Sequence, residues 1–422
     1  MQGRVRQIDG YYPITVADAV KMGDGTSTTL PEYIQSQRTA VNTAISALDD
    51  RIDALGNGGG GTPAAFQFGP MTAAITANAG ASITYEYTPI SGDFGTLQYV
   101  GGICANKKIY CAPNTSDSIL VYDTEGGYWY KIGQGFGTQA FKYTGFAAWK
   151  GKLYAIPRGV NTMLEVDPVT DEVRVIDLGT SYPVAPYGDY RDSHHYNGVI
   201  SDTGYMYLPP AYSSDKLLKI NMADFSWEEL PFLSSDVSTW IGCVKHPTED
   251  KIIFMASNRS PAAHVLRIWD CATDTYTDVV TSVQRACYDM VYDPRYNAFV
   301  GVYPNHIFAW FLNDNTIIDS SYINYMSTGY GISLGVDGNY WHLEGARAYR
   351  FSFDGTTFTQ LTTVTTNQSV GDATPYLAGQ AIDNDGNIYG IPASGCMTKL
   401  TVSGAARGLP DYIVSSQYYG KY

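Results

Sequence analysis

The densest set of side chains able to do chemistry lies between Leu178 and Asn197, where Tyr182, Tyr187, Tyr190, Arg191, Asp192, His194, His195 and Tyr196 crowd into one stretch. Aromatic faces stack on the C–H faces of sugar rings, while guanidinium, carboxylate and imidazole groups take the hydroxyls. Asp189 and Asp192 with His194 or His195 could also trade protons as a general acid and base. A metal is the weaker option, because adjacent residues on an extended chain point to opposite faces and His194 and His195 would not converge on one ion. No G-x-S-x-G nucleophile motif accompanies the stretch, and neither the aspartate boxes nor the arginine triad of sialidases is present. The group therefore reads as a ligand-binding surface suited to glycan, with no catalytic residue, metal or cofactor expected. A glycan-degrading hydrolase or lyase centred on Asp189 to His195 is the alternative of another class.

The elements that hold this stretch are legible as a repeat. An aromatic residue, a short apolar run, a polar turn and a second apolar run with another aromatic recur as Tyr99 with Tyr110, Tyr143 with Tyr154, Tyr196 with Tyr207, Trp240 with Phe254, Tyr288 with Phe299, Tyr330 with Trp341 and Tyr376 with Tyr389. The repeats stand 42 to 53 residues apart, and that period with several short alternating strands per unit predicts the four-stranded blades of a β-propeller. The second repeat predicts strands over Thr144–Trp149, Lys152–Pro157, Met163–Asp167 and Glu172–Asp177. A third strand recurs at Ile119, Met163, Leu217, Val265, Ile307, Ala348 and Thr398, and tight turns are expected at Asp123, Asp167, Asn221, Asp270, Asn313 and Asp354. The seven leading aromatics should ring the channel mouth as structural residues. Leu178 to Asn197 is the longest link between one blade's outer strand and the next blade's inner strand, with Pro157–Thr162 and Pro209–Asp215 as its neighbours. Asp383-Asn384-Asp385-Gly386-Asn387 begins like a calcium loop but lacks the closing glutamate, so a hairpin turn is the better reading.

A net charge of −14 argues against a nucleic-acid partner, since phosphate backbones are repelled. No apolar run is long enough to insert in a membrane. Cys104, Cys111, Cys243, Cys271, Cys287 and Cys396 contain no C-x-x-C pair and read as small core residues of a reduced protein.

Ahead of the repeats the chain changes character. Leu30 to Leu55 has no glycine, and Ile34, Val41, Ile45, Leu48, Ile52 and Leu55 follow heptad spacing, which predicts a stalk helix over residues 30–56 that pairs with copies of itself rather than folding back. The seam alone leaves dimer and trimer open. A glycine-rich hinge and a connecting strand fill 57–90, with alternation at Ile83, Tyr85 and Tyr87; this strand or Tyr412–Ser415 could close the propeller of residues 91–422. Residues 1–29, with a turn at Met22-Gly23-Asp24-Gly25-Thr26, are too short for a core of their own.

The succession from Tyr11-Tyr12-Pro13-Ile14-Thr15-Val16-Ala17-Asp18-Ala19-Val20, through Gly23-Asp24-Gly25-Thr26, to Leu30-Pro31-Glu32-Tyr33-Ile34 resembles the attachment region of tailed-bacteriophage fibre and virion appendage proteins. The resemblance covers roughly the first 60 residues. It implies a virion structural protein: residues 1–29 dock on other virion proteins, the helix forms a homotrimer, and the C-terminal head binds a receptor on the host surface. Tail fibre is the first expectation and capsid head fibre with an accessory adhesion role its variant.

Overall fold

The computed structural model describes residues 20–21, 27–28, 82–90, 98–184, 197–210, 215–232, 240–256, 265–280, 289–320, 323, 331–366, 377–383, 385–392 and 395–403. The chain divides into two compact units, Met1–Gln67 and Phe68–Tyr422. In the first, Val20–Lys21 pairs antiparallel with Ser27–Thr28; the turn expected at Met22 to Thr26 lies outside the described residues. The stalk helix of residues 30–56 and its seam residues Ile34, Val41, Ile45, Leu48, Ile52 and Leu55 lie outside the described residues.

The second unit is a seven-bladed β-propeller. Blades I to VI are sheets in chain order, with inner strands that begin at Tyr99, Tyr143, Val199, Trp240, Met290 and Ser333. Blade VII takes its inner three strands, Leu377–Ile382, Ile388–Pro392 and Cys396–Ser403, from the C-terminal part, and its outer strand, Ser82–Pro89, from ahead of blade I. This clasp runs in unbroken register from Ser82 opposite Ser403 to Pro89 opposite Cys396. The structure thus decides the closing strand: Ser82–Pro89, part of the predicted connecting stretch, belongs to the propeller. Its alternation is as expected, with Tyr85 and Tyr87 buried and Ser82, Thr84 and Glu86 exposed. Burying two tyrosine rings stabilises the closure by roughly 1.5–3 kcal/mol each, and the Tyr85 hydroxyl donates to the Gly345 carbonyl of blade VI at 2.8 Å.

Blade II follows the predicted boundaries within a residue or so: Tyr143–Trp149, Lys152–Pro157, Thr162–Val166 and Val173–Asp177. The third strand appears at all seven expected positions. The predicted turns form because a carboxylate or amide oxygen caps the backbone two residues on: Asp123 accepts from Glu125 N at 3.0 Å, Asp167 from Val169 N at 2.9 Å, Asn221 from Ala223 N at 2.9 Å, Asp270 from Ala272 N at 3.0 Å and Asp354 from Thr356 N at 2.8 Å. At the fifth blade Asp314, rather than Asn313, caps the turn by accepting from Thr316 N at 2.9 Å.

The leading aromatics are corrected in one respect. Tyr99, Tyr143 and Trp240 open their inner strands as expected, but each is 2 % exposed or less and lies in a core cluster between blades, not at an open channel mouth. The cause is a bulge just after each one, where the register shifts at Tyr99/Gly102, Tyr143/Phe146 and Trp240/Gly242 and turns the ring inward. Gly101 and Gly145 take φ of +69° and +126° there, and a Cβ on Gly101 would stand 2.8 Å from the Gly145 Cα. Only glycine lets these inner strands meet backbone to backbone. Cys104, Cys111, Cys243, Cys271 and Cys396 are buried and free of disulfides, and Cys287 lies outside the described residues.

Candidate functional site

In a β-propeller the links into the next inner strand and the turns between second and third strands share one face. The long link of blades II and III leaves that face from a rigid base. Leu178 N donates to Asn161 O at 2.9 Å, the Asn161 amide donates to Gly179 O at 3.2 Å, and the Trp227 indole donates to Leu178 O at 2.9 Å. The expected neighbour Pro157–Thr162 therefore does border the link, through Asn161. Tyr182 is 3 % exposed and meets Trp227 edge to face at 5.7 Å. Burial pushes its phenol well above the usual range, and its hydroxyl has no hydrogen-bond partner among the described residues. Tyr182 is thus a wedge under the link. Tyr187, Tyr190, Arg191, Asp192, His194, His195 and Tyr196, with Asp189, lie outside the described residues; Tyr182 is the member of the predicted group that the structure describes, and it packs on the blades.

The same face carries a group that the sequence reading passed over. Lys142 is fully buried between blades I and II, and its ammonium donates to the carbonyls of Asn114 at 3.1 Å and Gln139 at 3.2 Å. Burial pulls its pKa down to about 8, against the opposing charge of Asp117. Phe141 before it adopts φ of +64°, costly for a bulky residue, and the buried Arg158 guanidinium sits 4.5 Å from the Phe141 ring. Lys142 thereby ties the link after blade I to the Asn114 turn. The available signal was its setting in Phe141-Lys142-Tyr143, a lysine between aromatics at the start of an inner strand.

On blade V, Tyr303 donates to Asp319 at 2.5 Å and stacks on His306 at 4.8 Å and 8°. The His306 Nδ1 lies 3.2 Å from the Ser320 carbonyl, so the ring is held on the turn from both sides. No group of three or more His, Cys, Asp or Glu among the described residues is placed to hold a metal ion. The Asp383 carboxylate spends both oxygens on its own hairpin, accepting from Asp385 N, Asn387 N, the Asn387 amide and the Tyr389 hydroxyl at 2.8 to 3.0 Å.

No family model matches the chain, and no curated protein sequence matches it. Among solved structures it is similar to that of a streptogramin B lyase, at 14% identity and a TM-score of 0.58 over 76% of this chain and 98% of that one. It is likewise similar to a chain of the mitotic checkpoint complex, at 10% and 0.54 over 79% and 96%. The WD40 β-propeller domain of Doa1 aligns at 11% and 0.52 over 76% and 99%. At such identities the likeness shows the propeller fold and no more.

Proposed function

We propose that the chain is a structural appendage protein of a tailed-phage virion, a tail fibre whose propeller binds a host-surface glycan. Residues 1–29 dock on other virion proteins, residues 30–56 hold a homotrimer, and the stretch from Tyr187 to Tyr196 meets the receptor. The observation that carries the reading is the clasp: the chain enters its head through the strand that closes the ring, paired along all eight residues with Cys396–Ser403. A head tethered this way transmits a pull on the attachment region into a full ladder of hydrogen bonds. Three such heads on one stalk engage a repeating polymer with an avidity far above that of one head.

Light scattering of the full chain is expected to give about three times the 46.1 kDa protomer mass, and the double change Ile45→Asp with Ile52→Asp about one protomer mass. A native chain that is monomeric at micromolar concentration would sink the homotrimer. A virion reconstruction with this chain at neither tail nor capsid would sink the appendage role.

A further inference from the structure

We propose that Tyr128, with Tyr130 beside it, is a saccharide-stacking platform on the rim of blade I; the proposal rests on the glycan-binding reading and gives it a second contact. Tyr128 opens the outer strand Tyr128–Ile132 and is 55 % exposed. One side of its ring is nonetheless packed. A Cβ on Gly126 would stand 2.3 Å from the ring's Cε1 and 2.6 Å from its Cδ1, so the ring lies against the glycine of the preceding turn. That turn is itself held by the Asp123 carboxylate, which accepts from Glu125 N at 3.0 Å and Gly126 N at 2.7 Å. Tyr130 follows 5.8 Å away and 37° inclined, its hydroxyl anchored on Asp171 at 2.7 Å. An exposed ring already braced against its own turn has less freedom to lose on binding.

The surroundings choose the occupant. Beside the turn stands the exposed Lys107–Glu125 ion pair, 2.6 Å apart. A pyranose offers a C–H face for the ring and hydroxyls for the ammonium and carboxylate groups, and the exposed Val169 on the adjoining turn of blade II adds a single aliphatic contact. The other strongly exposed aromatic among the described residues, Tyr276 at 41 %, differs: the Arg267 guanidinium lies 3.6 Å from its ring centre and occupies a face. The platform sits at the turn between third and fourth strands, on the side of the blade away from the Leu178 to Asn197 link.

The test is a defined array of hexose, N-acetylhexosamine and hexuronate oligosaccharides probed with the full chain and two variants. Tyr128→Ala should weaken binding about tenfold or more, as loss of an aromatic stack does, with an unchanged melting temperature. Gly126→Ala, which displaces the ring without removing it, should weaken binding in the same direction. Binding by the native chain that both variants retain would overturn the platform and leave the glycan reading intact. Binding of no oligosaccharide by the native chain would overturn both, and variants that lose self-association instead would assign the ring to a contact between copies.

Discussion

In blades II and IV, key aspartates lie in the outer turns and reach across to a neighbour, whereas in blades V to VII they lie at the ends of inner strands and close the hairpin beside them. Asp171 of blade II accepts from Lys108, Tyr110 and Tyr130 of blade I at 2.7 to 2.8 Å. Asp274 of blade IV accepts from Tyr207 at 3.2 Å and Lys219 at 2.5 Å, both on blade III. The equivalent position in blade III is Phe225, whose ring meets Tyr154 of blade II at 6.3 Å. All three residues hold φ of +53° to +62°. The backbone of the turn is thus constant, and only the side chain decides whether a junction is latched by charge or by a ring. Asp337 and Asp383 instead serve their own hairpins, Asp337 through Asn339 and the Trp341 indole. Asp293 does both, taking the Arg295 guanidinium on its own turn and the Tyr340 hydroxyl of blade VI.

The difference predicts an order of effects. Asp293→Ala should be the most damaging, costing about 3–5 kcal/mol, since it strands a largely buried guanidinium and a buried phenol. Denaturant titration checks it, and a loss under 1 kcal/mol would deny the double role. Asp274→Ala should cost about 1–3 kcal/mol, because Tyr207 and Lys219 lose their shared acceptor. A double-mutant cycle with Tyr207→Phe should show coupling between blades III and IV.

Acid should separate the two kinds by sign. Burial pushes the Asp171 carboxyl up, but the bonds from Lys108, Tyr130 and Tyr110 outweigh it and leave it below the usual range. Its contribution is present above the unfolded value of ~3.9 and is lost as pH falls through the folded value. Burial raises Asp383, and its hydrogen bonds only partly offset this. Its contribution is full below the unfolded value and is lost as pH rises through the folded one. The stability advantage of the native chain over Asp171→Asn should therefore shrink on acidification below pH ~3.9, while its standing relative to Asp383→Asn should improve as pH falls toward that value. Parallel curves for the two variants would contradict the distinction.

Much of this ring was legible beforehand because a blade repeats its chemistry locally. The Asx turns at Asp123, Asp167 and Asp270 depend on residues two positions apart, and the alternation at Ile83, Tyr85 and Tyr87 is a period-two pattern. Ring closure was not legible, since Ser82 and Ser403 are far apart in the chain and Tyr412–Ser415 offered a rival pattern. The latches were hidden for the same reason: Tyr110 and Asp171 lie 61 positions apart and Tyr207 and Asp274 lie 67 apart. The leading aromatics showed their repeat but not their direction, because a glycine bulge reverses which way Tyr99 and Tyr143 point. Of the candidate site, Tyr182 looked like a ligand contact and is a wedge, since nothing local announces that Trp227 stands 5.7 Å away.

The claim on which the rest depends is that the head is clasped by the strand through which it is tethered. Native-state hydrogen exchange on the full chain tests it directly. The amides of Ser82–Pro89 that pair with Cys396–Ser403 should exchange as slowly as those of the Ile388–Pro392 strand, in one cooperative unit with blade VII. Fast exchange over Ser82–Pro89 beside a protected Ile388–Pro392 would contradict the clasp, and with it the tethered head.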